Sequence, residues 1–148
     1  MVMNVMNTFE HIVESLPSLL QQLLDKKAYP LKDLTEGKIN DEFGTSNPVQ
    51  GVYVVLDKGI PMYIGRSKTL AQRIGTDLRA TQKSQATLTY KLIKQGKLNL
   101  TTMVEARNYV YRNCTVKMLP VPHVKTRAVF VIYASMKLET IYNSFLES

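Results

Sequence analysis

The stretch GVYVVLDKGIPMYIGR, Gly51 to Arg66, limits what this chain can fold into more than any other part of it. Gly51 to Leu56 is β-branched and aromatic, which predicts a strand. Asp57-Lys58-Gly59 is a turn signal, and Pro61 delimits the next apolar run. Met62 to Gly65 is then the second strand of an antiparallel hairpin, with Gly65 placed where a side chain would obstruct the turning chain. From Thr69 the apolar spacing becomes helical. Leu70, Ile74 and Leu78 form one stripe, and Arg73 and Asp77 share the neighbouring one.

The remaining sequence reads mostly as helices. Asn7-Thr8-Phe9-Glu10 has capping-box spacing with Asn7 as N-cap. Pro17 is expected to interrupt the helix that this box opens and to begin a second segment, SLLQQLLDKK. Residues 28–50 read as an irregular connection, so 1–50 is taken as an N-terminal helical extension and connection that wraps a core domain, 51–148. Ser84–Gln95 is expected to be a helix stopped by Gly96. Thr102 and Glu105 form a second capping box, opening a helix to about Asn113. Cys114–Leu119 reads as a third strand, and Thr126–Glu139 as a helix buried over much of its surface.

Charge is distributed unevenly. Residues 1–50 carry four basic and seven acidic side chains, whereas 51–104 carry nine basic and two acidic. From Lys58 to Met103 the one acid is Asp77. Such a field attracts a polyanion, with a plainly solvated basic surface as the simpler reading. No apolar run approaches membrane-spanning length, and MVMNVMNTFEH does not look like a secretory signal. The single cysteine, Cys114, forms no internal disulfide, and the simplest compartment is the cytoplasm.

Gly51-Val52-Tyr53, nine residues, Tyr63-Ile64-Gly65-Arg66, then Leu70 and Arg73, resembles the signature of the GIY-YIG nuclease superfamily. The segment from Arg127 to Phe145, RAVFVIYASMKLETIYNSF, resembles that superfamily's last helix and the Tyr-Asn after it. The similarity spans about residues 51–143. It implies an α+β fold, a small three-stranded antiparallel sheet flanked by helices, and hydrolysis of a nucleic-acid phosphodiester with one divalent metal, Mg²⁺ or Mn²⁺. Residue by residue, it implies that Tyr53 and Tyr63 lie at the reacting centre. One of them, or a neighbour, would help deprotonate the attacking water, with its pKa lowered by Arg66, Arg73 and the metal. Arg73 would hold the scissile phosphate, Arg66 and Lys68 would add phosphate contacts, and Asn143 would support the site.

The resemblance breaks at two places: several members have a histidine four residues after the helix arginine, where this chain has Asp77, and the other break is at the metal ligand. The superfamily's metal-binding glutamate stands twelve residues before the asparagine, which here is Val131. An isopropyl group offers Mg²⁺ no oxygen. Asp77, on the Arg73 stripe, is the substitute candidate, and it could equally be a plain ion-pair partner of Arg73. Three functions are compatible with this pattern. The chain binds DNA through its basic face with cleavage impaired or lost; or it is an active Mg-dependent endonuclease using another carboxylate; or it is a protein-interaction or inhibitory subunit. Oligomeric state is left open, a homodimer being one arrangement. The tyrosines could also be simple cross-strand packing, and Val131 a plain core residue.

Overall fold

The computed structural model describes residues 8–79, 87–96 and 98–143. An antiparallel sheet lies between two groups of helices, an α+β arrangement. In chain order the elements are α1 (Phe9–Leu24), β1 (Tyr29–Pro30), α2 (Glu36–Phe43), β2 (Gly51–Asp57), β3 (Ile60–Ser67), α3 (Leu70–Gly75), α4 (Thr87–Gln95), α5 (Met103–Asn113), β4 (Cys114–Pro120) and α6 (Val124–Leu138). The sheet has four strands in the order β1-β4-β2-β3, one more than the expected three. The addition is β1, which pairs Tyr29 with Val116 and Pro30 with Thr115 on the free edge of β4.

Strand β2 is central, and this explains why GVYVVL shows no polar alternation. Both its faces are covered, so all six residues from Gly51 to Leu56 are buried. Val52, Val54 and Leu56 pack with Ile64, Leu119, α1 and α6. Tyr53 and Val55 face the other way, into a cluster with Val116, Met118 and residues of α2 to α5. Lys58 and Gly59 both take positive φ, 51° and 84°, as a two-residue type I′ hairpin turn requires.

One irregularity in this hairpin matters for the site. Leu56 pairs with Pro61, but Val55 pairs with Tyr63, so Met62 is an extra, unpaired residue. Without this bulge Tyr63 would stand opposite Val54 and point to the far side of the sheet. With it, Tyr63 lies on the same face as Tyr53. Pro61, expected to delimit the strand, sits inside it instead. It is tolerated because β3 is the sheet edge.

Several expectations are corrected. Thr8, not Asn7, caps α1, its hydroxyl accepting from the His11 backbone N–H; Asn7 lies outside the described residues. Pro17 does not divide the helix: α1 runs unbroken for sixteen residues, held by burial of Ile12, Leu16 and Leu23. A buried stripe outweighs the one intrahelical hydrogen bond the proline removes. Residues 28–50 are not irregular. They contain β1, a 3₁₀ turn at Leu31–Asp33 and α2, capped by Thr35 and ended by Gly44 in the left-handed region. The helix expected through Leu78 ends at Gly75, and Asp77–Arg79 continue as a 3₁₀ turn, although Leu70, Ile74 and Leu78 are all buried as one stripe. The capping box of Thr102 and Glu105 is present. Gly96, at φ 66°, ends α4, whose expected first residues, 84–86, lie outside the described chain. α6 buries one side; Val124, Ile132 and Met136 on its other side are exposed.

Candidate functional site

The free edge of β3 is closed by a side chain. Asn143 follows α6, and its amide reproduces a strand's pairing with Ile64. The Ile64 N–H donates to Oδ1 at 2.8 Å, and Nδ2 donates to the Ile64 carbonyl at 2.9 Å. The Thr140 hydroxyl donates to the same Oδ1 at 2.7 Å, and the Tyr142 N–H donates to the Met62 carbonyl at 3.1 Å. These bonds fix the backbone between Tyr63 and Gly65 and bring the end of α6 against the hairpin.

Gly65 has a role different from the one expected. It is paired mid-strand with Tyr53, and its φ is not among the positive values. What requires glycine is the Tyr53 ring lying across it: a Cβ at this position would sit 2.1 Å from Tyr53 Cζ. The ring of Tyr53 is thereby held 2% exposed, with its centroid 6.3 Å from that of Tyr63 at a 39° tilt. Tyr63 lies nearer solvent, with Lys91 Nζ of α4 5.3 Å from its ring centre.

Two adjoining clefts open at this edge. The smaller, about 180 Å³, is lined by Tyr53, Tyr63, Arg66, Arg73, Val131 and Asn143, with apolar neighbours. It has room for a phosphate group. The larger, about 500 Å³, is lined by Arg66, Lys68, Arg73, Asp77 and Arg127 together with Ser67, Thr69 and Gln72. Arg66 and Arg73 border both. The smaller cleft thus gathers residues from β2, β3, α3, α6 and the chain after α6, spread over ninety positions from 53 to 143. Lys68 and Asp77 border the larger cleft alone. Asp77 is 3.8 Å from Arg73 in an ion pair.

The electrostatics do not favour proton abstraction by a tyrosine. Burial pushes the pKa of Tyr53 far above its ordinary value, and the neighbouring Tyr63 adds to this; Arg73 opposes but does not offset it. Tyr63 is raised as well, by burial, again against Arg73. The lowering expected from the arginines is therefore overturned by desolvation. At neutral pH both hydroxyls stay protonated. They can donate hydrogen bonds to an anion, beside a guanidinium able to bind two of its oxygens.

A divalent metal does not fit the residues present. Val131 lines the smaller cleft and offers a metal no oxygen. Among the described residues no group of three His, Cys, Asp or Glu side chains is arranged to hold a metal ion. What the arrangement offers is anion binding: two neutral phenols, Arg73 and Arg66.

Sequence reasoning missed three features of this region. Lys91 is brought over Tyr63 by the packing of α4, with no local signal. Gln72, next to Arg73 on α3, had none either. Arg127 was legible as a cation on an otherwise apolar helix, an arrangement that calls for a special environment. Elsewhere, Tyr109 donates from its hydroxyl to Asp57 at 2.6 Å, fastening α5 to the hairpin turn, and Tyr111 stacks with Arg107. Cys114 is buried at the start of β4, its thiol pushed up to about 12 by burial and Asp57.

No protein-family model matches the chain, and no curated protein sequence matches it. Among solved structures it is similar to the GIY-YIG N-terminal endonuclease domain of UvrC from Thermotoga maritima, in two Tyr-to-Phe point mutants, each bound to the catalytic divalent cation of that domain. The TM-score is 0.42 for both, at 20% and 19% identity, with 72% of this chain and 96% of that domain covered.

Proposed function

We propose that this chain is a GIY-YIG-type nuclease-fold protein that binds DNA through its basic face and has lost most or all phosphodiester cleavage. The observation behind this reading is the content of the smaller cleft: the two motif tyrosines, Arg73 and Asn143 converge there, and the residue beside them is Val131. Arg73, flanked by two protonated phenols, binds a backbone phosphate. It does so in the ground state, and nothing in the cleft generates a nucleophile from water. Loss of a metal's contribution, several kcal/mol of transition-state stabilisation, corresponds to several orders of magnitude in rate.

The test is a nicking assay on supercoiled plasmid with Mg²⁺ or Mn²⁺ against EDTA, alongside a binding titration across a salt series. The wild-type protein is expected to bind with steep salt dependence and not to nick. Arg73→Ala is expected to bind more weakly. Val131→Glu, which returns a carboxylate to a half-buried position in the cleft, is expected to gain Mg²⁺-dependent nicking. Wild-type nicking that disappears in Arg73→Ala would establish an active endonuclease with another metal ligand, Asp77 being the nearest carboxylate to Arg73 in an observed contact. Salt-insensitive or absent DNA binding would leave the third function, a subunit that contacts protein.

A further inference from the structure

Arg127 is an unusual residue. It is 3% exposed, on the inward side of α6, and no carboxylate pairs with it among the described residues. Its three hydrogen bonds all leave from Nη1: to Gln50 Oε1 at 3.1 Å, and to the Val121 and Pro122 carbonyls at 3.0 Å each. Neutral acceptors do not cancel the charge. Nε and Nη2 make no hydrogen bond among the described residues and are not sealed from solvent, because the side chain borders the larger cleft. Burial draws the Arg127 pKa down, and repulsion by a second nearby cation, Arg66, adds to this. An arginine remains charged under such conditions, so the fold holds a largely buried cation at the cleft wall beside like charge, with no carboxylate partner among the described residues. Leaving a charge in this state is costly unless an anion completes it.

The register explains why Arg127 and Arg66 meet. Arg66 is opposite Val52, so it projects to the α1 and α6 side of the sheet, whereas Tyr53 and Tyr63 project to the other. The larger cleft therefore lies around the sheet edge from the tyrosines, and Arg66 and Arg73 form the wall between the two. It is bordered by four cations and a single carboxylate, which Arg73 already pairs.

Resting on the DNA-binding reading above, we propose that the cleft around Arg66, Lys68, Thr69, Gln72 and Arg127 is a second phosphate subsite. It takes the backbone phosphate adjoining the one held by Arg73 and the two tyrosines, and Arg127 is its buried anchor. The ligand is thus a continuous strand that bends around the sheet edge, and not an isolated phosphate.

The test is the salt dependence of duplex binding by the full chain, measured by fluorescence anisotropy for wild type, Arg127→Gln, Lys68→Ala and Arg73→Ala. Each phosphate contact contributes about 0.9 to the slope of log affinity against log salt. Arg127→Gln and Lys68→Ala are each expected to reduce the slope, by up to that amount for the one phosphate they share. Arg127→Gln also loses backbone contacts, so circular dichroism monitors its folding; Lys68 is exposed and its replacement leaves the core untouched. A merely structural Arg127 would lower the melting temperature with both slopes unchanged, and that result overturns the proposal. A duplex carrying 5′-phosphates is expected to bind no more tightly than its 5′-hydroxyl counterpart; a gain abolished by Arg127→Gln would assign the cleft to a strand end and also overturn it. If Arg73→Ala weakens binding while the other two variants match wild type, the DNA-binding reading stands and this inference alone falls. A flat wild-type slope removes both.

Discussion

Gly65→Ala probes how the site is built. Gly65 has ordinary strand φ, so an alanine there meets no backbone penalty and would, in open space, gain about 0.5–1 kcal/mol from reduced chain entropy. It does not have open space. The added Cβ would stand 2.1 Å from Tyr53 Cζ, 2.3 Å from its Oη and 2.6 Å from Cε1. Tyr53 is 2% exposed, so its ring cannot swing into solvent without losing buried area. Overpacking of this kind costs about 1–3 kcal/mol. A double-mutant cycle isolates the cause. Tyr53→Val removes all three clashing atoms, keeps a β-branched side chain on the strand, and costs about 2–4 kcal/mol by itself as a large-to-small change. On that background Gly65→Ala is expected to be neutral or stabilising. The sign of its effect should therefore reverse, with a coupling energy of about 1–3 kcal/mol, the clash alone, because the entropy term is present on both backgrounds and cancels in the cycle. Urea denaturation followed by circular dichroism measures all four corners. Equal costs of Gly65→Ala on both backgrounds would refute the argument that the ring, and not the backbone, dictates glycine.

The same geometry sets three further outcomes. Because Tyr53 has a raised pKa in the fold, the native state keeps a proton that the unfolded chain releases above about pH 10, so stability falls as pH rises past that point; Tyr53→Phe should fall less steeply, by about 1.4 kcal/mol per pH unit, in denaturant titrations at a series of alkaline pH values. Asn143→Ala removes both pairings with Ile64 and is expected to cost about 1–3 kcal/mol in the same assay and to raise hydrogen exchange at the Ile64 amide, whereas an unchanged exchange rate would deny it the edge-pinning role. Cys114, buried and with its thiol raised to about 12, should not react with a disulfide reagent in the native protein at pH 8 and should react fully in denaturant.

What could be read from the sequence divides by the range of the interaction responsible. The hairpin, the Thr102 capping box and the Gly96 stop depend on neighbours within a few residues, and their residue types state the requirement directly. The bulge at Met62 does not. Nothing in PMYIG announces an extra residue, yet it decides which face Tyr63 occupies; the motif spacing was legible and its geometric consequence was not. The missed helix at Glu36–Phe43 had local signals, Thr35 and Gly44, but only one buried residue, Ile39, so its apolar periodicity was too thin to see. Pro17 was over-read because a local penalty was weighed without the three buried residues that offset it. In the site, the motif named Tyr53, Tyr63, Arg73 and Asn143. Lys91 and Arg127 come from elements brought in by tertiary packing, and no spacing rule reaches them.

Val131 can be weighed against its surroundings on α6. It is half-buried at the cleft, packing beside the buried cluster that contains Phe130 and Ala134. A valine there packs with that cluster and offers no oxygen to a cleft whose polar lining is two tyrosines, two arginines and Asn143. On the proposed reading a valine here leaves phosphate binding untouched, because the cations assigned to it, Arg66, Arg73 and Arg127, lie on β3, α3 and another turn of α6. Binding and turnover thus rest on separate residues in this fold. Uniform binding of a strand needs only cations in register with its phosphates, while cleavage needs stabilisation that appears in the transition state alone. The proposed function needs only the first set to be intact: cations in register with a strand's phosphates bind it whether or not a reaction follows.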